Sequence, residues 1–356
     1  MIGTTIRTRE QYHTMTPSVA VLVMTMVMVV GIPAVAWFYP DLHLVPPEPA
    51  IRSLSLLDPK TVQIKTPTAT TTTTTGSGDN VDFRLFVQSH TEIHQRIQDW
   101  MASLPDLYKR AEQTDQSTIE QFFPFEPLVD CTELSEVGVT LPVRRRDPDK
   151  KACGLHTNPA FQRRDCVVYS FGSNNNFRFE HGILHDTECE VHTFDCTGPL
   201  DRFTKIPQNE RMHFHHVCLS DRAVQPPPSC DDDHQICGPI KTFAQIQKEL
   251  GHEKIEILKI DIEGFEVPVL ASWYEGIDAP GYGRLPDQIL MELHSKTAFS
   301  GIADRNVPST NGLFTIRTTP QLVTMQKMLM EMGYVVAATT ENIRCPFCIE
   351  LTLVRI

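Results

Sequence analysis

Short runs of β-forming residues alternate with helical patterns from Cys166 to the end of the chain, and that alternation limits the fold more than any other feature. Val167-Val-Tyr169 reads as a short buried strand. It breaks at Ser170-Phe-Gly-Ser-Asn-Asn-Asn176 and gives way to a helix over 177–186. Residues 191–195 form a second strand, and 212–219 a third with a helix over 241–250 behind it. A fourth strand over 255–260 ends at Asp261-Ile-Glu-Gly264, with 265–273 helical, and 288–293 is the fifth. A helix over 320–332 and strands over 334–338 and 349–354 close the pattern. Regular alternation of this kind predicts an α/β fold, a doubly wound and mostly parallel sheet with helices on both faces.

Ligands of such sheets sit outside the carboxyl ends of the strands. Acids, amides and a histidine gather there: residues 172–176, Asp195, Ser220-Asp221, residues 261–264, and Glu292-Leu-His294. The strand, Gly- and Asn-containing turn and helix of residues 166–180 present free backbone N–H groups to a nucleotide or nucleoside. Gly172 lets the backbone approach without a Cβ in the way. An acid about twenty residues further on is placed to grip ribose hydroxyls, and Asp195 meets that spacing. Ser170, Gly172, Asn174, Asp195 and Asp221 are therefore the candidate cofactor-binding residues.

The chain carries a formal net charge of −12, which excludes the basic field that phosphate binding needs, so no nucleic-acid partner is expected. Residues 19–38 are almost wholly apolar, with Arg7 and Arg9 before them and Asp41 and Glu48 after. About twenty such residues cross a bilayer, and the flanking charges leave residues 1–18 in the cytosol. This predicts a single-pass signal anchor in the lipid bilayer, with the remaining chain in the lumen of the Golgi or endoplasmic reticulum. The competing reading is a signal peptide cleaved after Ala36, in Ala34-Val-Ala36, and a secreted product. No N-x-S/T sequon occurs in the chain, so N-glycosylation gives the lumenal placement no support.

Residues 39–80 read as a stalk, rich in Pro and ending in a threonine run from Thr70 to Thr75. Residues 81–150 form a helical and irregular extension. Within it an amphipathic helix spans 81–104, with Phe86, Ile93, Ile97, Trp100, Met101 and Leu104 on one stripe and Pro105 closing it. Arg144-Arg145-Arg146, flanked by Asp147 and Asp149, reads as a solvated loop.

Tyr169-Ser-Phe-Gly172, Phe179-Glu180, Phe194-Asp195, Leu258-Lys-Ile-Asp-Ile-Glu-Gly-Phe-Glu266 and Met291-Glu-Leu-His294 together resemble the FkbM-related methyltransferases. The nearest likeness is to their eukaryotic group with a signal anchor or signal peptide, over roughly residues 150–356. The resemblance implies a class I fold using S-adenosyl-L-methionine. It implies that the turn at Gly172 cradles the methionine part of the cofactor and that Asp195 holds its ribose. The glycine-rich turn of the family is here Gly172-Ser-Asn-Asn-Asn176, whose asparagines tolerate positive φ.

Methyl transfer to oxygen needs the acceptor positioned and its proton removed. His294, beside Glu292, is the candidate base by titration range, against a local hydrogen-bonding role at the strand end. Asp261 is read as functional, orienting an acceptor hydroxyl, whereas Glu263 is read as capping the next helix. Asp261, Glu263 and Glu292 are also a possible divalent-cation set, although nothing in the pattern requires a metal. His213, His215 and His216 lack further ligands at defined spacing and read as core or edge residues.

Cys230 and Cys237 are expected to pair around an acidic loop, and Cys345 and Cys348 to form structural disulfides with each other or with distant partners. Cys166, Cys196 and Cys218 read as buried thiols. The function expected is methylation of oxygen on a glycan or other small hydroxylated acceptor. Two alternatives remain open: a non-catalytic binding module that keeps the fold, and a disulfide enzyme using Cys345 and Cys348.

Overall fold

The computed structural model describes residues 85–356 apart from 139–149, 226–229, 231–235, 277–283 and 296–317. The expected anchor, the stalk and the basic run at 144–146 lie outside the described residues. Among the described residues no helix is long and apolar enough to cross a membrane.

Helices α1 (His90–Ala102) and α2 (Leu104–Gln113) come first, then strands β1 (Leu134–Glu136) and β2 (Lys151–Cys153). The alternating region follows: β3 (Val167–Phe171), α3 (Arg178–Asp186), β4 (Glu190–Phe194), β5 (Met212–His215), β6 (Cys218–Leu219), β7 (Ile240–Lys241) and α4 (Phe243–Leu250). Then come β8 (Ile257–Ile260), α5 (Glu266–Gly276), β9 (Gln288–His294), α6 (Thr319–Glu331), β10 (Tyr334–Glu341) and β11 (Cys348–Arg355). Seven strands make one sheet in the order β10-β11-β9-β8-β3-β4-β5. The five strands from β5 to β9 run parallel, while β11 is antiparallel to both β9 and β10. The sheet is therefore mixed, with the order reversing at β3, and the expected alternation of strands and helices is present.

Strand periodicity sorts each strand's side chains onto two faces. Tyr169, Phe171, Leu258, Ile260, Ile289, Met291, Leu293, Ile349 and Leu351 join Phe243, Ile246, Val269, Trp273 and Leu322 in one wholly apolar cluster under α4, α5 and α6. Val168, Val191, Ile257 and Leu290 on the opposite face pack with Phe179, Ile183 and Leu184 of α3. That second face also takes Ser170, Lys259, Glu292, His294 and Glu350, all buried. One face is oil; the other carries a polar network.

Three expectations change. The helix expected over 81–104 is two helices. A Ser89–Glu92 capping box opens α1, Phe86 lies outside it in a bridge to Cys131, and Pro105 occupies the first turn of α2. Proline is tolerated there because the first-turn N–H has no helical partner. The third strand breaks after His215, and β6 pairs with β7 in a separate two-stranded sheet. Within the extension, Thr352 Oγ1 donates to the Lys151 carbonyl, Gln288 exchanges bonds with the Cys153 backbone, and Trp100 and Ala111 pack on Val323 and Met330. The described part of residues 81–150 thus belongs to the same compact unit, which runs from 76 to 356.

All ten cysteines are paired: Cys131–Cys153, Cys166–Cys189, Cys196–Cys218, Cys230–Cys237 and Cys345–Cys348. Cys166, Cys196 and Cys218 are thus not thiols: Cys196 and Cys218 pair with each other and Cys166 with Cys189, at separations of 22 and 23 residues that only the fold closes. Alkylation of the denatured, unreduced protein should label no cysteine, and replacing Cys166 and Cys189 together by serine should cost about 2–4 kcal/mol in denaturant unfolding.

Candidate active site

The turn after β3 is shaped by close approach. Gly172 has φ 82, and a Cβ there would lie 1.8 Å from the Asp261 carbonyl oxygen. Asn174 (φ 46) and Asn175 (φ 56) continue in the left-handed region, as expected of asparagine. Asp195, only 4% exposed, binds this turn together. Its Oδ2 accepts from the Asn174 N–H (2.7 Å) and from Ser173 Oγ (3.2 Å), and its Oδ1 accepts from the Thr197 N–H (2.9 Å). A carboxylate offers about four acceptor positions, so one remains for a ligand hydroxyl.

Ser170 does not reach the turn. Its residue parity turns it to the α3 face, where its hydroxyl donates to Glu180 Oε1 at 2.6 Å. Asp221 follows β6, outside the main sheet, and accepts from Ser220 Oγ at 2.9 Å. The Cys196–Cys218 disulfide ties that segment to the residue after Asp195.

At the ends of β8, β9 and β11 the structure brings Asp261, Glu292 and His294 together and adds Lys150, Lys259, Asn342 and Glu350, which no local pattern marks. Lys150 Nζ lies 3.3 Å from Asp261 Oδ2 and 2.8 Å from Glu350. Lys259 Nζ donates to the Phe171 carbonyl at 3.2 Å and to the Gly172 carbonyl, and stands 3.9 Å from Asp261. Asn342 donates to Glu292 Oε1 at 2.8 Å. Burial raises the carboxyls of Glu292 and Glu350, the latter to about 7. Burial also opposes ionisation of Asp261, yet Lys150, then Lys259 and His294, hold it down to about 2.

His294 is not placed as a free base. Its Nδ1 is 3.1 Å from Glu266 Oε1 and its Nε2 3.4 Å from Glu263 Oε2. Burial works against its charge, but Glu266, followed by Asp261 and Glu292, pushes its pKa up to about 10. An imidazolium at neutral pH has no lone pair for an acceptor proton. Nor does Glu263 cap α5. Buried Glu266, the first residue of α5, ties down the turn before the helix, accepting from the N–H groups of Ile262 (2.8 Å) and Gly264 (2.9 Å). Glu263 instead sits at φ 59, a conformation few residues other than glycine adopt, with its side chain 41% exposed beside His294. Burial, and then repulsion from Asp261 and other acids, raises it to about 7 although His294 pulls the other way. Positive φ, partial exposure and a raised carboxyl together set Glu263 apart from the neighbouring acids.

The sheet order and this strand-end site define a Rossmann-like class I methyltransferase fold. The chain belongs to a family described as "Methyltransferase domain", which matches residues 82–346. It is 27% identical over 109 residues to human "Probable methyltransferase-like protein 24", covering 31% of this chain and 28% of that protein. The rat counterpart is 28% identical over 107 residues, covering 30% and 28%. The chain thus matches under a third of the length of these relatives. Among solved structures, a putative S-adenosylmethionine-dependent methyltransferase from Listeria monocytogenes shares 10% identity, covering 56% of this chain and 94% of that one, with a TM-score of 0.33. S-adenosylmethionine is the cofactor consistent with this membership, and the Gly172 turn, free of a Cβ and backed by Asp195, fits it.

Lys150→Met should destabilise the protein by about 3–5 kcal/mol in denaturant unfolding, because it strands Asp261 and Glu350 without their buried cation. For His294 the folded pKa of about 10 lies above the unfolded value of about 6.5. Its contribution is whole below about pH 6.5 and is lost as pH rises through about 10. Melting temperature should fall across that window, and His294→Gln should flatten the fall.

Proposed function

We propose that this domain binds S-adenosylmethionine at the Gly172–Asp195 turn and methylates an oxygen of a glycan or other hydroxylated acceptor, with Glu263 taking the acceptor's proton. The observation that carries the reading is Glu263, a half-exposed carboxyl raised to about 7 at the strand ends, held 3.4 Å from the His294 imidazolium. When bound, the cofactor supplies an electrophilic methyl group. The chain's own residues do the rest. Asp195 offers its remaining acceptor position to a ribose hydroxyl, and Asp261, a quarter exposed and anchored by Lys150, accepts from the incoming hydroxyl and orients it. Glu263 removes the proton, and the neighbouring imidazolium stabilises the carboxylate that does so. Glu292, fixed by Asn342, keeps the potential near His294 negative.

The affiliation with signal-anchored, FkbM-related proteins and the secretory compartment belong to the same proposal. Five disulfides support it, since such bonds persist in oxidising compartments. A second reading, a binding module without turnover, draws on Asp195, whose carboxylate is already engaged by three groups of its own chain.

Calorimetric titration of the protein with S-adenosylmethionine and S-adenosylhomocysteine separates them. Binding should weaken by about 1.5–3 kcal/mol in Asp195→Asn, which loses a charge-assisted hydrogen bond. In an acceptor screen kcat/KM should rise with pH through about 7 as Glu263 ionises. Glu263→Gln should lower turnover about 100-fold or more while leaving cofactor affinity unchanged. Absence of cofactor binding by the folded protein would overturn the proposal, and binding without turnover would favour the second reading.

A further inference from the structure

The sheet's other end carries a second cluster that the proposed methyl transfer does not use. Glu190 and His192 are two residues apart on β4 and so share a face. β5 runs parallel beside β4 with His192 opposite His213, and His213 and His215 share that same face. The third strand's histidines, which from sequence lacked further ligands, therefore meet a carboxylate and an imidazole from the neighbouring strand. Glu190, His192 and His213 each direct a ligand atom into a space where all three atoms lie within 4.8 Å of one another.

Individual contacts sharpen the picture. Glu190 Oε1 is 2.6 Å from His213 Nε2 and 3.4 Å from His192 Nε2. His192 is 5% exposed, and its Nε2 makes no hydrogen bond although it is buried and aimed at that carboxylate. Its other nitrogen, Nδ1, is 3.0 Å from His215 Nε2. When His192 Nδ1 donates in that contact, its Nε2 carries a lone pair able to take a metal ion. In that tautomer the lone pair and the carboxylate oxygen, 3.4 Å apart, face one space that a cation between them would neutralise. Tetrahedral zinc, with bonds of about 2.0–2.1 Å, spaces its ligands about 3.3–3.5 Å apart, the separation of His192 from Glu190, whereas the half-exposed His213 must draw back from its 2.6 Å contact to admit the ion.

We infer that Glu190, His192 and His213 form a binding site for a divalent transition-metal ion of the zinc class, with His215 orienting His192 from behind. Imidazole nitrogen selects such ions over magnesium or calcium. A hydrogen bond to the second nitrogen of a ligating histidine is the usual way its ring is held. Entry is open, because the side chains of Glu190 and His213 are 38% and 39% exposed. Three protein ligands leave the fourth position to solvent. β5 is an edge strand of the main sheet, so the ion would clip that edge onto β4. Glu190 opens the strand that Asp195 follows, about 16 Å away along the chain, so the role is structural and not catalytic.

The test is calorimetric titration of chelator-stripped full-length protein with zinc chloride, cobalt chloride and magnesium chloride, with thermal melts in parallel. One equivalent of zinc and of cobalt should bind with a rise in melting temperature, and magnesium should not. X-ray absorption of the zinc-loaded protein should show two imidazole ligands. His213→Gln and Glu190→Gln, both at half-exposed positions, should each weaken zinc binding about tenfold or more while retaining the wild-type far-ultraviolet spectrum. Glu263→Gln should bind zinc as the wild type does. No zinc binding, equal binding by the wild type and both cluster variants, or loss of zinc only in Glu263→Gln would each overturn the assignment.

Discussion

Five carboxylates, those of Asp261, Glu263, Glu266, Glu292 and Glu350, converge with His294 at the ends of three neighbouring strands, and the fold depends on how that charge is met. Lys150 answers two of them from outside the alternating region, and Lys259 answers Asp261 while tying the carbonyls of Phe171 and Gly172. In a buried setting each such charge costs several kcal/mol if it stands alone. Lys150 therefore makes the N-terminal extension a structural part of the domain, because without it the strand ends would repel.

That balance also distributes the chemistry. A lysine beside Asp261 keeps it ionised and hydrogen-bonding, whereas Glu263, further from either lysine and next to other acids, is raised toward neutrality. His294, enclosed by carboxylates, becomes a fixed cation. Two acids two residues apart are thus pulled in opposite directions by their surroundings alone. The apolar cluster beneath α4, α5 and α6 packs against the other side of the same strands and so supports these distances.

Much of this was legible. Val167-Val-Tyr169, the apolar run before Asp261 and the run before Glu292 each carry strand signals strong enough to stand alone, and the acids that follow them are the strand-end residues seen. Gly172 and the asparagines after it were readable because positive φ is a property of residue type. Ser170 and His294 have surroundings that the sequence does not show, for different reasons. Parity places Ser170 on the α3 face, but which face looks toward a ligand is not written in a strand of five residues. His294 carries an unperturbed range that suggests a base, and only the placement of Glu266 and Glu263 raises it.

Local periodicity and backbone preference are enough to specify the alternation of strands and helices, the glycine-led turn, and the acids at the strand ends. Tertiary contacts decide which cysteines pair, that Lys150 reaches Asp261 and Glu350, that Glu266 ties down the turn before α5, and that Glu190 and His192 join His213. Pairings of that kind depend on strand order and register, which bring together residues tens to hundreds of positions apart. Local sequence carries no information about such distances.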